Sequence, residues 1–88
     1  MTESRDDILA SVARTMAEVT DVSEADVRLD KHLIDDLELD SLSLAEFGVA
    51  LQERFGIELS DEQVAELQTV SDVVDVVRAA RDQGVTAG

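Results

Sequence analysis

The sequence contains no cysteine, proline, tryptophan or tyrosine, and only four glycines. Without cysteine there is no disulfide framework and no thiolate metal site. The lack of proline and scarcity of glycine favour long uninterrupted helices. Phe47 and Phe55 are the whole aromatic complement, which leaves no platform for stacking nucleic-acid bases. Positive charge is scarce too: seven basic residues against twenty-one acidic ones give a formal net charge of −14. A phosphate backbone would be repelled, so the expected partners are proteins with basic patches, not nucleic acid. The opening Thr2-Glu3-Ser4-Arg5-Asp6-Asp7 lacks the apolar run of a signal peptide, and no apolar stretch is long enough to span a bilayer. These features point to a cytoplasmic protein that does not insert into membranes.

What is present fits one small all-α domain. The chain has 88 residues, 44% of them hydrophobic, enough for a compact core. Ser4 and Asp7 read as an acidic capping box, and Ile8, Val12, Met16 and Val19 follow at helical spacing. They predict a first helix over 4–18. Residues 20–40 form a long connection without glycine or proline. Val22, Val27, Leu29, Leu33, Ile34, Leu37 and Leu39 punctuate it, so it is expected to be ordered and pinned to the core, with Ser23 and Asp26 capping a single turn. A second helix spans 41–55 and stops at Gly56 in the left-handed position. Ser60 and Gln63 form a capping box for a short third helix over 61–67, with Leu59 and Val64 at its staple positions. The last helix opens at Thr69-Val70-Ser71-Asp72. Its valines would suit a strand, but its acids fall on the opposite helical face. Gly84 is expected to stop it, leaving a domain over 1–84 and a flexible tail over 85–88.

The second helix carries two apolar faces. Leu44, Phe47, Leu51 and Phe55 share one, beside Gly48, and make the core stripe. Leu42 and Val49 fall nearly opposite, flanked by Ala45, Glu46, Gln52 and Glu53. Either this second stripe is a docking surface or the long connection covers it. Gly48 lies mid-helix, where glycine costs about 1 kcal/mol relative to alanine, so it either allows a close approach or is merely tolerated.

Ser41 stands where the connection becomes the second helix. Serine at such a place is commonly a cap, but Asp40 is the better cap, which would leave the Ser41 hydroxyl exposed in the first turn. A phosphate attached there would face backbone N–H groups at the positive end of the helix. Ser43 with Glu46 is a rival capping box.

Asp36-Leu37-Glu38-Leu39-Asp40-Ser41-Leu42 resembles the phosphopantetheine attachment motif of acyl carrier proteins, whose core is Asp-Ser-Leu. The resemblance extends through Glu46, Leu51, Glu53, Phe55, Ile57, Leu59, Asp61-Glu62 and Thr69-Val70. It implies a four-helix bundle with three main helices, a short third helix and a long ordered loop between the first two. It also implies that a phosphopantetheinyl transferase, using coenzyme A and magnesium, attaches 4′-phosphopantetheine covalently to Ser41, between Asp40 and Leu42. The arm's thiol would hold acyl intermediates as thioesters and deliver them to biosynthetic enzymes, as in fatty-acid and other lipid pathways. Such a chain is a carrier, not an enzyme, and acts as a monomer. By matching position, Leu42, Glu46, Val49 and Glu53 would dock the acyl-loading and acyl-transferring enzymes. Ser43 and Gln52 stand where fatty-acid carriers often have acids. Glu38-Leu39 replace the glycine pair of many peptidyl carriers, which favours an acyl over an aminoacyl or peptidyl carrier.

Other chemistries fit less well. Asp36, Glu38 and Asp40 alternate as in a calcium loop, but the sixth position is Ser41 and the twelfth Phe47, where glycine and glutamate are required, so no metal site is expected. His32, the sole histidine, has no cysteine to activate, and a Ser41–His32 dyad would require hydrogen-bond reach. An acidic helical adaptor, with Ser41 a simple cap, remains the alternative.

Overall fold

The computed structural model describes the backbone of residues 4–87 and the side chains of residues 4–81. Among these, four α-helices follow in order: α1 (Arg5–Val19), α2 (Ser41–Phe55), α3 (Asp61–Ala65) and α4 (Val70–Ala87). α1 starts as its capping box dictates: Ser4 Oγ accepts the Asp7 N–H at 3.1 Å, and the Asp7 carboxylate accepts the Ser4 N–H. Ile8, Val12 and Met16 line its buried face. α4 is a helix despite its valines, because Val70, Val73, Val74 and Val77 all fall on one fully buried stripe. Burial at helical spacing outweighs the modest β preference of each valine. Phe47 and Leu51 of α2 complete the core against α1 and α4.

The connection is ordered by long-range backbone bonds. The Leu33 N–H donates to the Gln68 carbonyl at 2.8 Å, and His32 pairs with Thr69 in an isolated antiparallel bridge. The first amides of α4 need acceptors from outside their own helix. Val70 N–H finds the Lys31 carbonyl, and Ser71 N–H the Leu29 carbonyl. Val27, Leu33, Leu37 and Leu39 are buried, and Val22 and Leu29 pack at the core's edge.

Several expectations need correction. Ile34 is exposed, not pinned to the core. It follows the fully buried Leu33 in a tight turn, where neighbouring side chains cannot both face inward. The single turn Glu24–Asp26 forms, but Ser23 makes no side-chain cap to it. The turn closes through backbone alone, with Asp26 N–H on the Ser23 carbonyl and Val27 N–H on that of Glu24. α3 ends at Ala65, two residues before the predicted end. There Leu67 N–H tightens onto the Val64 carbonyl, and the chain leaves to bury Leu67 and bring Gln68 to Leu33. α4 continues through Gly84 to Ala87. Glycine stops a helix when the chain turns left-handed there; otherwise it is carried at about 1 kcal/mol.

Candidate functional site

α2 begins with a division of labour between two adjacent residues. Asp40 is the N-cap, with extended backbone, and its carboxylate accepts the Ser43 N–H at 2.7 Å. That bond is the main cause holding the Asp40 carboxyl below its ordinary value of 3.8. Ser43 is the donor at this helix start, so its rival box with Glu46 does not form. Ser41 is the first helical residue and is exposed. Among the described residues, none hydrogen-bonds its hydroxyl.

The approach to this site is strained. Asp36 and Leu37 N–H both donate to the His32 carbonyl, forming one helix-like turn. Glu38 then adopts φ 58°, left-handed and unusual for a residue other than glycine. The reversal lets Leu39 N–H return to the Leu33 carbonyl and buries Leu39 one residue before the cap. Ser41 is thus presented from a fixed backbone on both sides.

Downstream, the predicted core face of α2 is the buried one: Leu44, Phe47, Gly48 and Leu51. Phe55 is half-buried, with the Arg81 guanidinium 5.8 Å from its ring centroid. Leu42 and Val49 are 69% and 55% exposed, so the connection covers neither. Glu46 and Glu53 are exposed on the same helix. A groove of about 440 Å³ runs beside the contact between α2 and α3 and is lined by Ile34, Ser41, Leu44, Gly48, Val49 and Val64, with four further residues. A larger cavity, about 770 Å³, lies among Asp21, Asp26, Asp36, Glu38 and Asp40, beside Lys31. Ser41 is not among its walls, and among the described residues no group of acids, histidines or cysteines is arranged to hold a metal ion. His32 is exposed and lines neither cavity.

Residues 10–77 match the family description "phosphopantetheine attachment site". The chain belongs to the acyl carrier protein family. It is 41% identical over 81 residues to the acyl carrier protein of Tropheryma whipplei, covering 92% of this chain and 99% of that one. It is 40% identical over 78 residues to that of Thermobifida fusca, covering 89% and 99%. The meromycolate extension acyl carrier protein of Mycolicibacterium aurum is 34% identical over 87 residues, covering 99% and 90%. Among solved structures, the acyl carrier protein of Enterococcus faecalis superposes with TM-score 0.71 at 32% identity, covering 89% of this chain and 99% of that chain. The helical fold of this carrier is therefore the family's fold, and the chain is a carrier rather than a catalyst. Its prosthetic group is phosphopantetheine. The residues present suit that group, because an exposed hydroxyl stands at the start of a fifteen-residue helix whose cap is supplied by a neighbour.

Sequence reasoning missed Ile34 as a member of this site. The Leu33-Ile34 pair carried half the signal, since a turn that buries one of two adjacent residues exposes the other. Nothing local said which.

Proposed function

We propose that Ser41 is the attachment residue of this carrier, and that Asp40 and Leu42 frame it for the modifying enzyme. The observation that carries the reading is the exposed Ser41 hydroxyl, relieved of capping by Asp40. When bound, the phosphopantetheine arm supplies a terminal thiol that carries an acyl group as a thioester. The protein's own residues do the remaining work. The α2 amide dipoles favour the attached phosphate, Asp40 keeps the first turn wound, and Leu42, Glu46, Val49 and Glu53 offer an apolar and acidic face to partners.

Those partners are a phosphopantetheinyl transferase and biosynthetic enzymes that load and remove acyl groups, met by a monomeric carrier in the cytoplasm. The name of the Mycolicibacterium aurum relative supports acyl-chain extension in lipid synthesis as the setting. Co-expression with a transferase, followed by intact mass, tests the assignment. The wild-type chain gains the mass of one arm, while Ser41→Ala stays folded and gains none. An unmodified wild type, under conditions that modify a known carrier, favours the adaptor reading instead.

A further inference from the structure

Among the described residues, the exposed large hydrophobic side chains are Ile34, Leu42 and Val49. Single exposed apolar residues are ordinary on a soluble surface. Here each is tied to Ser41, through one shared groove or as its neighbour in the chain, which is the pattern of a contact surface and not of scatter. Leu42 follows Ser41 directly, while Ile34 and Val49 line the groove that Ser41 also lines. Ile34 differs from the other two in its origin, since it belongs to the connection and not to α2.

The outward orientation of Ile34 is built into the backbone. On one side, the buried Leu33 is anchored by its N–H to the Gln68 carbonyl. On the other, Asp36 and Leu37 N–H are both held by the His32 carbonyl, and the Asp36 carboxylate accepts the His32 N–H at 2.8 Å. The surroundings are acidic, with Asp35, Glu46, Glu53 and Asp61 exposed. The single basic residue of α2, Arg54, is engaged by Glu18. An apolar centre inside an acidic rim is complementary to an enzyme surface with an apolar patch inside a basic rim.

We propose that Ile34 is a recognition residue, contacted by the partner enzyme together with Leu42 and Val49, so that the footprint straddles Ser41 from both the connection and α2. The proposal rests on the carrier reading of Ser41 and adds a contact outside the helix. A partner gripping one helix face can still rock about the helix axis. A second contact from a separate, rigid segment removes that freedom and fixes where the Ser41 hydroxyl points on the enzyme.

The test is the initial rate of arm transfer by a phosphopantetheinyl transferase from coenzyme A, followed by intact mass at varied carrier concentration. Ile34→Ser is compared with Ile34→Val and with Ala10→Ser, a change at an exposed position on α1. Ile34→Ser raises KM about fivefold, the loss expected for one apolar contact at an interface centre. Ile34→Val restores most of the affinity, and neither Ile34 variant shifts the thermal midpoint. The KM effect of Ile34→Ser persists at about 0.5 M salt, where that of Glu46→Gln fades, because screening acts on charge and not on apolar contact. A KM for Ile34→Ser equal to that of Ala10→Ser overturns the proposal. So does a fall in thermal midpoint, which would make Ile34 a structural residue, and so does an unchanged KM with faster loss of a bound acyl chain, which would make it a wall of the groove. If the wild type accepts no arm at all, the carrier reading fails. If it accepts the arm and Ile34→Ser does so equally well, only the role of Ile34 fails.

Discussion

The Asp40 carboxylate accepts the Ser43 N–H, so a proton on it weakens the cap that starts α2. The carboxyl is more acidic in the folded protein than in the unfolded chain. Its contribution to stability is therefore fully present above its unfolded value of about 3.8 and is lost as pH falls through the lower folded value. Asp40→Asn keeps an acceptor and should hold the thermal midpoint near that of the wild type at neutral pH, whereas Asp40→Ala should lower it. Of the two midpoint differences measured between about pH 6 and pH 3, that between wild type and Asp40→Ala shrinks on acidification. A difference that stays constant would mean the carboxylate is not the cap. Glu38 gives a second prediction at this scale. A left-handed residue other than glycine costs about 1–2 kcal/mol, and asparagine tolerates the region better. Because Glu38 is exposed, no buried contact is lost on substitution. Glu38→Asn should stabilise by roughly 0.5–1 kcal/mol in urea melts, and Glu38→Val should destabilise by more. The sequence did not reveal this strain, since the reversal exists to return Leu39 to the Leu33 carbonyl.

The elements α2 and α3 meet at a glycine. A Cβ on Gly48 would stand 3.0 Å and 3.2 Å from the two Val64 methyls, closer than such atoms normally approach. Gly48 is thus neither arbitrary nor merely tolerated, because it makes room for the one α3 valine that packs against the core cluster. No residue of α3 is fully buried, so this seat is a large part of what holds the helix in place. The Gln52 amide assists, donating to the Gly48 carbonyl at 3.3 Å and accepting the Leu59 N–H at 3.2 Å. That bridge ties the last turns of α2 to the segment leading into α3. Gly48→Ala should therefore gain less than the ~1 kcal/mol of helix propensity in the wild-type background, and all of it in a Val64→Ala background. A double-mutant cycle by urea unfolding measures the difference, and strict additivity would show that Val64 does not occupy the glycine's space. The helix starts and the end of α2 were legible, whereas the ends of α3 and α4 were not. Ser4, Asp40, Gly56 and the Ser60–Gln63 box all occupy their predicted places, because caps involve residues within a few positions of one another.

At the scale of the whole molecule, twenty-one acids and seven bases share a body with a radius of gyration of 12.0 Å. At about 0.01 M ionic strength the screening length is ~30 Å, larger than that radius, so each carboxylate feels most of the others. At about 0.1 M it is ~10 Å and repulsion becomes local. The thermal midpoint should rise with salt over this range, by several degrees if the repulsion amounts to about 1 kcal/mol. Scanning calorimetry in sodium chloride checks this, and a midpoint independent of salt would mean the unfolded chain carries as much charge repulsion as the folded one. The ion pairs Arg5–Asp75 and Arg14–Glu24, at 3.3 Å and 3.8 Å, are solvent-exposed and offset little of it.

What the amino-acid order determined alone was governed by near neighbours: an all-α chain, the start of each α-helix, the buried stripe of α2, and Ser41 released from capping by Asp40. These follow from caps and periodicity, whose partners lie within one or two turns of each other. Tertiary structure decided what depends on residues far apart in the chain. The carbonyls of Leu29 and Lys31 receive the first amides of α4, and Leu33 rather than Ile34 turns inward because Gln68 holds its backbone. α3 stops early so that Leu67 can reach the core, and Val64 fills the space left by Gly48. A local pattern can state that a residue is apolar, but the surface it meets, or its lack of one, is set by chain folded back from tens of residues away.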